Sequence, residues 1–150
     1  MIPPTRINLR AEAPEAHDAM IAFSRQVGAG IDPALHELVK LRVSQINGCA
    51  YCVDKHSRDA LRAGEDDRRL HSVAVWHEAP FFTARERAAL ALADSVTLVS
   101  ETHVPDDVWI EAEKHFSRSE VAHLVLAIAA MNALNRTAIT SRMRPPATIT

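Results

Sequence analysis

Apolar residues recur every three or four positions along most of the chain, which is the spacing that buries one face of an α-helix. The alternation of apolar and polar residues that marks a half-buried strand is not convincing anywhere. Only four glycines interrupt a chain rich in alanine, leucine and charged residues, which favour helix. The pattern predicts helices over about residues 14–28, 33–47, 49–63, 66–78, 83–99, 105–116 and 121–139.

Local signals mark the ends of several predicted helices. Asp32-Pro33 supplies a capping side chain followed by proline at the first helical position, and Asn47-Gly48 ends the same helix. Residues 83–86 (Thr-Ala-Arg-Glu) and 117–120 (Ser-Arg-Ser-Glu) are capping boxes, in which a hydroxyl and a carboxylate bond the free amides of the first turn. The sequence therefore predicts an all-α fold of about seven helices, with a non-helical tail at residues 144–146.

The length and net charge of the chain indicate how many domains it forms and which partners it is expected to have. A chain of 150 residues is expected to form one domain over 1–150, with a core at about 14–140 and extended termini. A net charge of -2 gives no reason to expect a nucleic acid or a membrane as a partner. Because the first residues lack the apolar region of a secretory signal and no apolar run reaches about 18 residues, we expect a cytoplasmic protein.

The two cysteines of the chain, Cys49 and Cys52, lie within one helical turn of each other, and His56 follows one turn later. At 100° per residue, Cys52 and His56 are roughly 40° apart on a helix, and Cys49 and His56 roughly 20° apart. All three side chains therefore share one stripe. This arrangement is typical of a redox dithiol served by a base, or of part of a metal site.

A dithiol that cycles needs sulfurs that can bond and one thiol that ionises. Helical positions i and i+3 place the Cα atoms roughly 5 Å apart, which a disulfide tolerates. A helix start after Gly48 and a neighbouring imidazole both lower a thiol pKa. His56 is placed to accept a proton from Cys52, and Glu37 on the preceding helix is a candidate to hold its other nitrogen if the turn folds the two helices together.

These residues resemble a known family. Glu37, together with Ser-Gln-Ile-Asn-Gly-Cys-Ala-Tyr-Cys-Val-Asp-Lys-His at 44–56, is similar to the signature of the alkylhydroperoxidase D-like (AhpD-like) group of the carboxymuconolactone decarboxylase superfamily. The segments 86–90 (Glu-Arg-Ala-Ala-Leu) and 135–136 (Asn-Arg) are similar to it as well. The likeness covers about residues 6–139, nearly the whole chain.

The resemblance implies an all-helical, AhpD-like fold that assembles as a trimer or hexamer, and a thiol-dependent peroxidase that uses no cofactor and no metal. Carried over, Cys52 attacks the hydroperoxide, Cys49 is the resolving thiol and general acid, His56 is the base, and Glu37 completes the proton relay. Position at a helix start alone would instead favour Cys49 as the more acidic thiol. The partners implied are a hydroperoxide and an external dithiol or protein reductant.

One position departs from the family pattern. Its best-understood members have a second histidine directly before the second cysteine, where this chain has Tyr51. A phenol titrates near 10, roughly, so Tyr51 can donate a hydrogen bond but is a poor base at neutral pH. We interpret Tyr51 as a wall of the substrate pocket, and expect either slower peroxidase chemistry or a different substrate.

Two other functions stay open. A non-redox decarboxylase or lactone-type enzyme of the same superfamily would not need the cysteines. A zinc-binding or redox-sensing helical module would use Cys49, Cys52 and His56 as three ligands, with Glu37 or another histidine as the fourth. The seven remaining histidines do not cluster at ligand spacing and are interpreted as surface or hydrogen-bonded residues: His17, His36, His71, His77, His103, His115 and His123.

Overall fold

The computed structural model describes residues 3–147, and over that range the chain is helical with no strand. Nine α-helices and one 3₁₀ turn follow one another within those residues. The helices are α1 (Leu9–Glu12), α2 (Pro14–Gly28), α3 (Pro33–Asn47), α4 (Ala50–Arg62), α5 (Asp67–Ser72), α6 (Ala84–Thr97), α7 (Val99–Thr102), α8 (Asp106–His115) and α9 (Arg118–Ser141), with the 3₁₀ turn at Val73–Val75. The all-α prediction is confirmed, and both capping boxes form at the starts of α6 and α9.

The helix predicted over 66–78 is too long. In the structure α5 ends at Ser72 and continues only as the 3₁₀ turn. The guanidinium of Arg87 donates hydrogen bonds to the carbonyl oxygens of Trp76, His77 and Ala79. Those carbonyls are satisfied by a side chain from α6 rather than by a following helical turn, so the backbone leaves the helix before Pro80.

Two further details differ from the prediction. The segment predicted as one helix over 83–99 is broken at Leu98, and α7 follows as a single turn. The turn α1 was not predicted because it buries none of its residues and depends on one cap, the Asn8 side chain accepting from the amide of Ala11. A hydrophobic pattern cannot reveal a turn that buries nothing.

Helix α3 lies at the centre of the fold, in contact with α4, α6 and α9. Its apolar face is fully buried at Leu38, Val39 and Val43. A polar link also joins α3 to α9, because buried Asn135 donates to the hydroxyl of Ser44, at 3.1 Å, and accepts from the Asn47 amide, at 3.0 Å. The C-terminal end of α3 is thereby fixed against the longest helix.

The turn after α3 sets the direction of α4. Gly48 adopts a left-handed conformation with φ 69°, which a side chain would strain, and its amide bonds back to the last turn of α3. Cys49 follows as the N-cap of α4. Helix α4 packs against α3, so residues before and after Gly48 on the two helices come into contact.

Helix α9 is long and apolar enough to cross a bilayer by length and composition alone. A core helix passes the same test, and α9 packs against α2, α3 and α6 with Leu124, Ile128 and Met131 buried. The core of the fold therefore accounts for part of its apolar character.

Candidate functional site

The first turn of α4 holds the two sulfurs together. Cys49 and Cys52 form a disulfide, with their Cα atoms 5.3 Å apart. The sulfur of Cys49 also caps the helix, accepting a hydrogen bond from the Cys52 amide at 3.3 Å. The residues are only 1% and 4% exposed, so both sulfurs are shielded from bulk solvent.

His56 lies one turn further along α4 and is 6% exposed. Its Nδ1 is 3.1 Å from Oε2 of Glu37, across the contact between α3 and α4. The other carboxylate oxygen of Glu37 accepts an ion-paired hydrogen bond from Lys40, three residues along α3. We call Glu37, Lys40 and His56 the cavity cluster.

The cavity cluster has a defined protonation state. Burial lowers the pKa of His56, although its hydrogen bond to Glu37 acts in the opposite direction. Burial would raise the pKa of Glu37, but the hydrogen bonds from His56 and Lys40 outweigh it and lower that pKa to about 2. Glu37 is therefore a carboxylate and His56 a neutral imidazole. Because Nδ1 must donate to the carboxylate, Nε2 keeps its lone pair and can accept a proton.

A cavity of about 930 Å³ opens beside the site. Cys52 and His56 both line it, as their spacing on one stripe of α4 predicts. Residues of α1, α2, α3 and α9 complete its walls, so the cavity lies between the start of the chain and the central helices. Its volume is within the usual range for a ligand pocket of about 300–1,000 Å³.

The two cysteines face different recesses, because Cys49 is the extended N-cap of α4; the prediction that it shares one stripe with Cys52 and His56 is therefore wrong. Cys49 lines a second, smaller recess of about 250 Å³, together with Gly48, Ala50 and Ile139. Cys52 does not line that recess, and Cys49 does not line the large cavity. The disulfide therefore forms part of the wall between two openings.

Tyr51 is one of four residues that line both recesses, and the other three lie at or after the end of α9: Ala138, Met143 and Arg144. Its ring is partly buried against the core cluster that includes Cys49 and Cys52. Within residues 3–147 its hydroxyl makes no hydrogen bond. The phenol is thus available to a molecule bound in either recess.

Sequence reasoning assigned no role to His36, yet it lines the large cavity one helical turn before Lys40. Burial, reinforced by the positive charge of Lys40, lowers the pKa of His36 to about 4. Its ring packs so closely on Gly28 that a Cβ there would lie 2.5 Å from the ring. In the sequence, His36 lies four residues before Lys40, which places both side chains on one face of α3. That spacing does not show that a cavity lies against this face.

The donor set around His56 also bears on metal binding. Ligand atoms of Glu37, His56 and Asp59 lie within 4.8 Å of one another. Lys40 already pairs with Glu37, and Lys55 with Asp59. Two ammonium groups therefore neutralise the carboxylates that a cation would need, and the arrangement is better suited to moving a proton than to holding a metal ion.

Comparisons with known proteins place the chain in a family. The model of the carboxymuconolactone decarboxylase family matches residues 14–95. The uncharacterised protein YdfG of Bacillus subtilis (strain 168) is 35% identical over 135 residues, which is 89% of this chain and 92% of that protein. Both matches include the Glu37, Cys49, Cys52 and His56 region.

Solved structures share the fold. A protein of unknown function from Agrobacterium tumefaciens, named as a candidate antioxidant defence protein AhpD, is 38% identical with a TM-score of 0.94, over 97% of this chain and 100% of that chain. The debrominase Bmp8 has a TM-score of 0.78 at 21% identity, over 91% of this chain and 74% of that one, a likeness of fold alone. The chain belongs to the carboxymuconolactone decarboxylase family as an AhpD-like member.

Proposed function

We propose that this protein is a thiol-dependent peroxidase that cycles through the Cys49–Cys52 disulfide. The observation that carries the proposal is that Cys52 and His56 line the same cavity, and that Glu37 bonds one ring nitrogen of His56 and leaves the other free. A nucleophile, a base and an orienting carboxylate are the parts that thiol activation requires. The AhpD-like relationship supports peroxidase-type chemistry as well.

In the proposed reaction, Nε2 of His56 takes the proton of the Cys52 thiol, and the thiolate attacks one oxygen of the hydroperoxide. The O–O bond breaks, the Cys52 sulfur becomes a sulfenic acid, and the alcohol leaves with the proton returned by His56. The Cys49 sulfur then attacks the sulfenic sulfur and forms the disulfide, while the proton of the Cys49 thiol passes to the departing hydroxyl, which leaves as water. The sulfur pair has lost two electrons and the hydroperoxide has gained them.

The choice of Cys52 as the attacking thiol is a balance of two effects. Cys49 is the N-cap of α4, where the helix dipole favours a thiolate. Cys52 is the sulfur that shares a cavity with the base and with room for an organic substrate. We give the base and the larger cavity more weight than the dipole, because the attacking thiol also needs a nearby group to take its proton.

Reduction completes the cycle. An external dithiol or a protein reductant attacks Cys49 from the smaller recess, forms a mixed disulfide and releases the Cys52 thiolate into the large cavity. A second thiol of the reductant then frees Cys49. The separate recesses support this order, since each sulfur has its own approach.

We further propose that the chain forms a single domain, with a core at about 14–140, and works as a cytoplasmic homo-oligomer, a trimer or hexamer. Large apolar side chains are exposed on α8 and α9 at Trp109, Ile110 and Leu126, by 39%, 52% and 44%. Contacts between copies of the chain would cover such side chains. Sedimentation equilibrium of the purified protein tests the assembly.

Peroxide consumption tests the proposed function. With dithiothreitol and cumene hydroperoxide, we expect Cys52→Ser to abolish turnover, while Cys49→Ser leaves a sulfenic acid that dimedone traps. Ser72→Ala is a matched control, because that residue lies on α5 away from both recesses. Full turnover by the Cys52 variant would refute the assignment.

The non-redox alternatives predict different results. A decarboxylase or lactone-type enzyme would keep its activity when both cysteines are replaced by serine. A zinc-binding module would purify with stoichiometric zinc and lose its fold on chelation. The disulfide favours the redox function over both, because bonded sulfurs are poor zinc ligands and a decarboxylase has no use for them.

A further inference from the structure

The side chains that line the large cavity are more positively charged than the chain as a whole. The protein has 19 acidic and 17 basic side chains, yet no carboxylate lines the cavity among the residues the structure describes. Five cationic side chains do so, namely Arg10, Arg25, Lys40, Lys55 and Arg144. A cleft lined by one sign of charge attracts ligands of the opposite sign.

These cations are not equally available. Lys40 is paired with Glu37 and Lys55 with Asp59, so both are largely neutralised. Arg10 on α1 and Arg25 on α2 make no hydrogen bond or ion pair with any residue in the described range 3–147. Two guanidinium groups are therefore left open at the cavity.

The rest of the lining is largely apolar. Met20 and Ile21 project from α2, and Met131 and Leu134 from α9. Methionine adapts its shape to irregular ligands. A hydrogen peroxide molecule, close to water in size, would fill only a small part of about 930 Å³, since one water occupies about 30 Å³. The cavity suits a long, apolar body.

We propose that the substrate is an organic hydroperoxide with an apolar body and a carboxylate head, and that Arg10 and Arg25 bind the head. The apolar body of the substrate lies along the apolar side chains of α2 and α9, while the peroxide group reaches Cys52. Guanidinium groups match a carboxylate with paired hydrogen bonds, which makes arginine well suited to this role. This substrate class rests on the proposed peroxidase function, but the anion site can be tested without it.

Calorimetry with a non-reactive ligand tests the site. The probe is the hydroxy acid obtained by reducing linoleic acid hydroperoxide, and the reference is its methyl ester. We expect the acid to bind more tightly, Arg25→Gln to weaken its binding about fivefold, and the double variant with Arg10→Gln to weaken it further. The preference should fall as salt is raised.

Arg118→Gln is the matched control. Arg118 makes no hydrogen bond or ion pair in the described chain and lies about 20 Å from Met131 along α9. It should leave the affinity for the acid unchanged, and ester binding should be unchanged in every variant. Equal affinities for acid and ester, or an effect of Arg118→Gln as large as that of Arg25→Gln, would overturn the anion site.

The two proposals fail in different ways. Linoleic acid hydroperoxide should oxidise the reduced protein faster than its methyl ester, and Arg25→Gln should remove most of the difference. If both compounds and cumene hydroperoxide leave the thiols reduced while the acid still binds through the arginines, the peroxidase function fails and the anion site stands. If all three react equally fast and the arginines have no effect on rate or binding, the substrate class is wrong and the peroxidase function stands.

Discussion

Two ion-paired clusters arise from the same helix and do different things. The cavity cluster joins Glu37 and Lys40 of α3 to His56 of α4. Two residues later on α3, the Arg42 guanidinium donates to both oxygens of Asp94 on α6, at 2.6 and 3.0 Å. We call this second set, with Trp76 donating to Asp94 at 3.1 Å, the packing cluster.

The difference lies in what each cluster leaves open. In the packing cluster both carboxylate oxygens and the indole N–H are satisfied, and none of its residues lines either recess. In the cavity cluster the His56 ring keeps one nitrogen free and faces the cavity with Cys52. An ion pair between helices stabilises the fold when each of its polar atoms is hydrogen-bonded. It can support chemistry when one partner keeps an unbonded nitrogen or oxygen that faces the same cavity as a reactive atom.

The largest contrast should appear in activity. Glu37→Gln removes the charge that holds His56 in its proton-accepting form, so we expect peroxide turnover to fall roughly 100-fold. Asp94→Asn, the matched change in the packing cluster, should leave turnover per folded molecule close to that of the parent. Initial rates with cumene hydroperoxide measure both, and equal losses in the two variants would erase the distinction between the clusters.

Stability should show the reverse contrast. Asp94→Asn leaves the Arg42 guanidinium without its carboxylate at a site where the two side chains are only 15% and 18% exposed. We expect unfolding to become easier by about 2 kcal/mol, which for this size of chain lowers the melting temperature by about 6 °C. Calorimetric scans at pH 7 provide the measurement. A melting temperature within one degree, roughly, of the parent would show that the packing cluster does not hold α3 to α6.

The acidity of Cys52 gives a finer test. In a Cys49→Ser background, which isolates one thiol, His56→Gln should raise the pKa of Cys52, because the imidazole no longer accepts its proton. The pH dependence of iodoacetamide alkylation reports this directly. Arg42→Gln is the control from the packing cluster and should not move the profile. Identical profiles for the His56 variant and its parent would remove the relay.

The last test concerns His36, which lines the large cavity. Its pKa is about 4 in the folded protein, below the ordinary value of 6.5, so the unfolded chain binds a proton more readily. This contribution to stability is complete above pH 6.5 and is lost as the pH falls towards 4; the lowered pKa of buried His56 acts in the same direction. His36→Gln should therefore reduce, without abolishing, the drop in melting temperature between pH 7 and pH 4.5. An undiminished drop would mean that His36 does not couple to folding.

Sequence patterns predicted the features that depend on neighbouring residues. The capping boxes at Thr83 and Ser117 and the turn at Gly48 are complete within a few positions, so their chemistry is visible in the sequence. The meeting of Glu37 and His56 follows from that turn, since the two residues lie eleven and eight positions from it.

Features that depend on distant segments could not be predicted in the same way. The early end of α5 requires Arg87 to reach back from α6 to carbonyl groups eight to eleven residues earlier. The cavity role of His36 depends on α1, α2 and α9 closing around α3, and the separate recesses of Cys49 and Cys52 exist only once α9 packs beside α4. Helical periodicity says which residues share a face, but not what covers that face.

The most direct test is intact mass spectrometry of the fully reduced protein, before and after one equivalent of cumene hydroperoxide. We predict a loss of two hydrogen atoms from the protein as the Cys49–Cys52 bond forms, with one alcohol produced per chain. A mass that stays unchanged while the hydroperoxide persists would contradict the proposal that these thiols reduce peroxides.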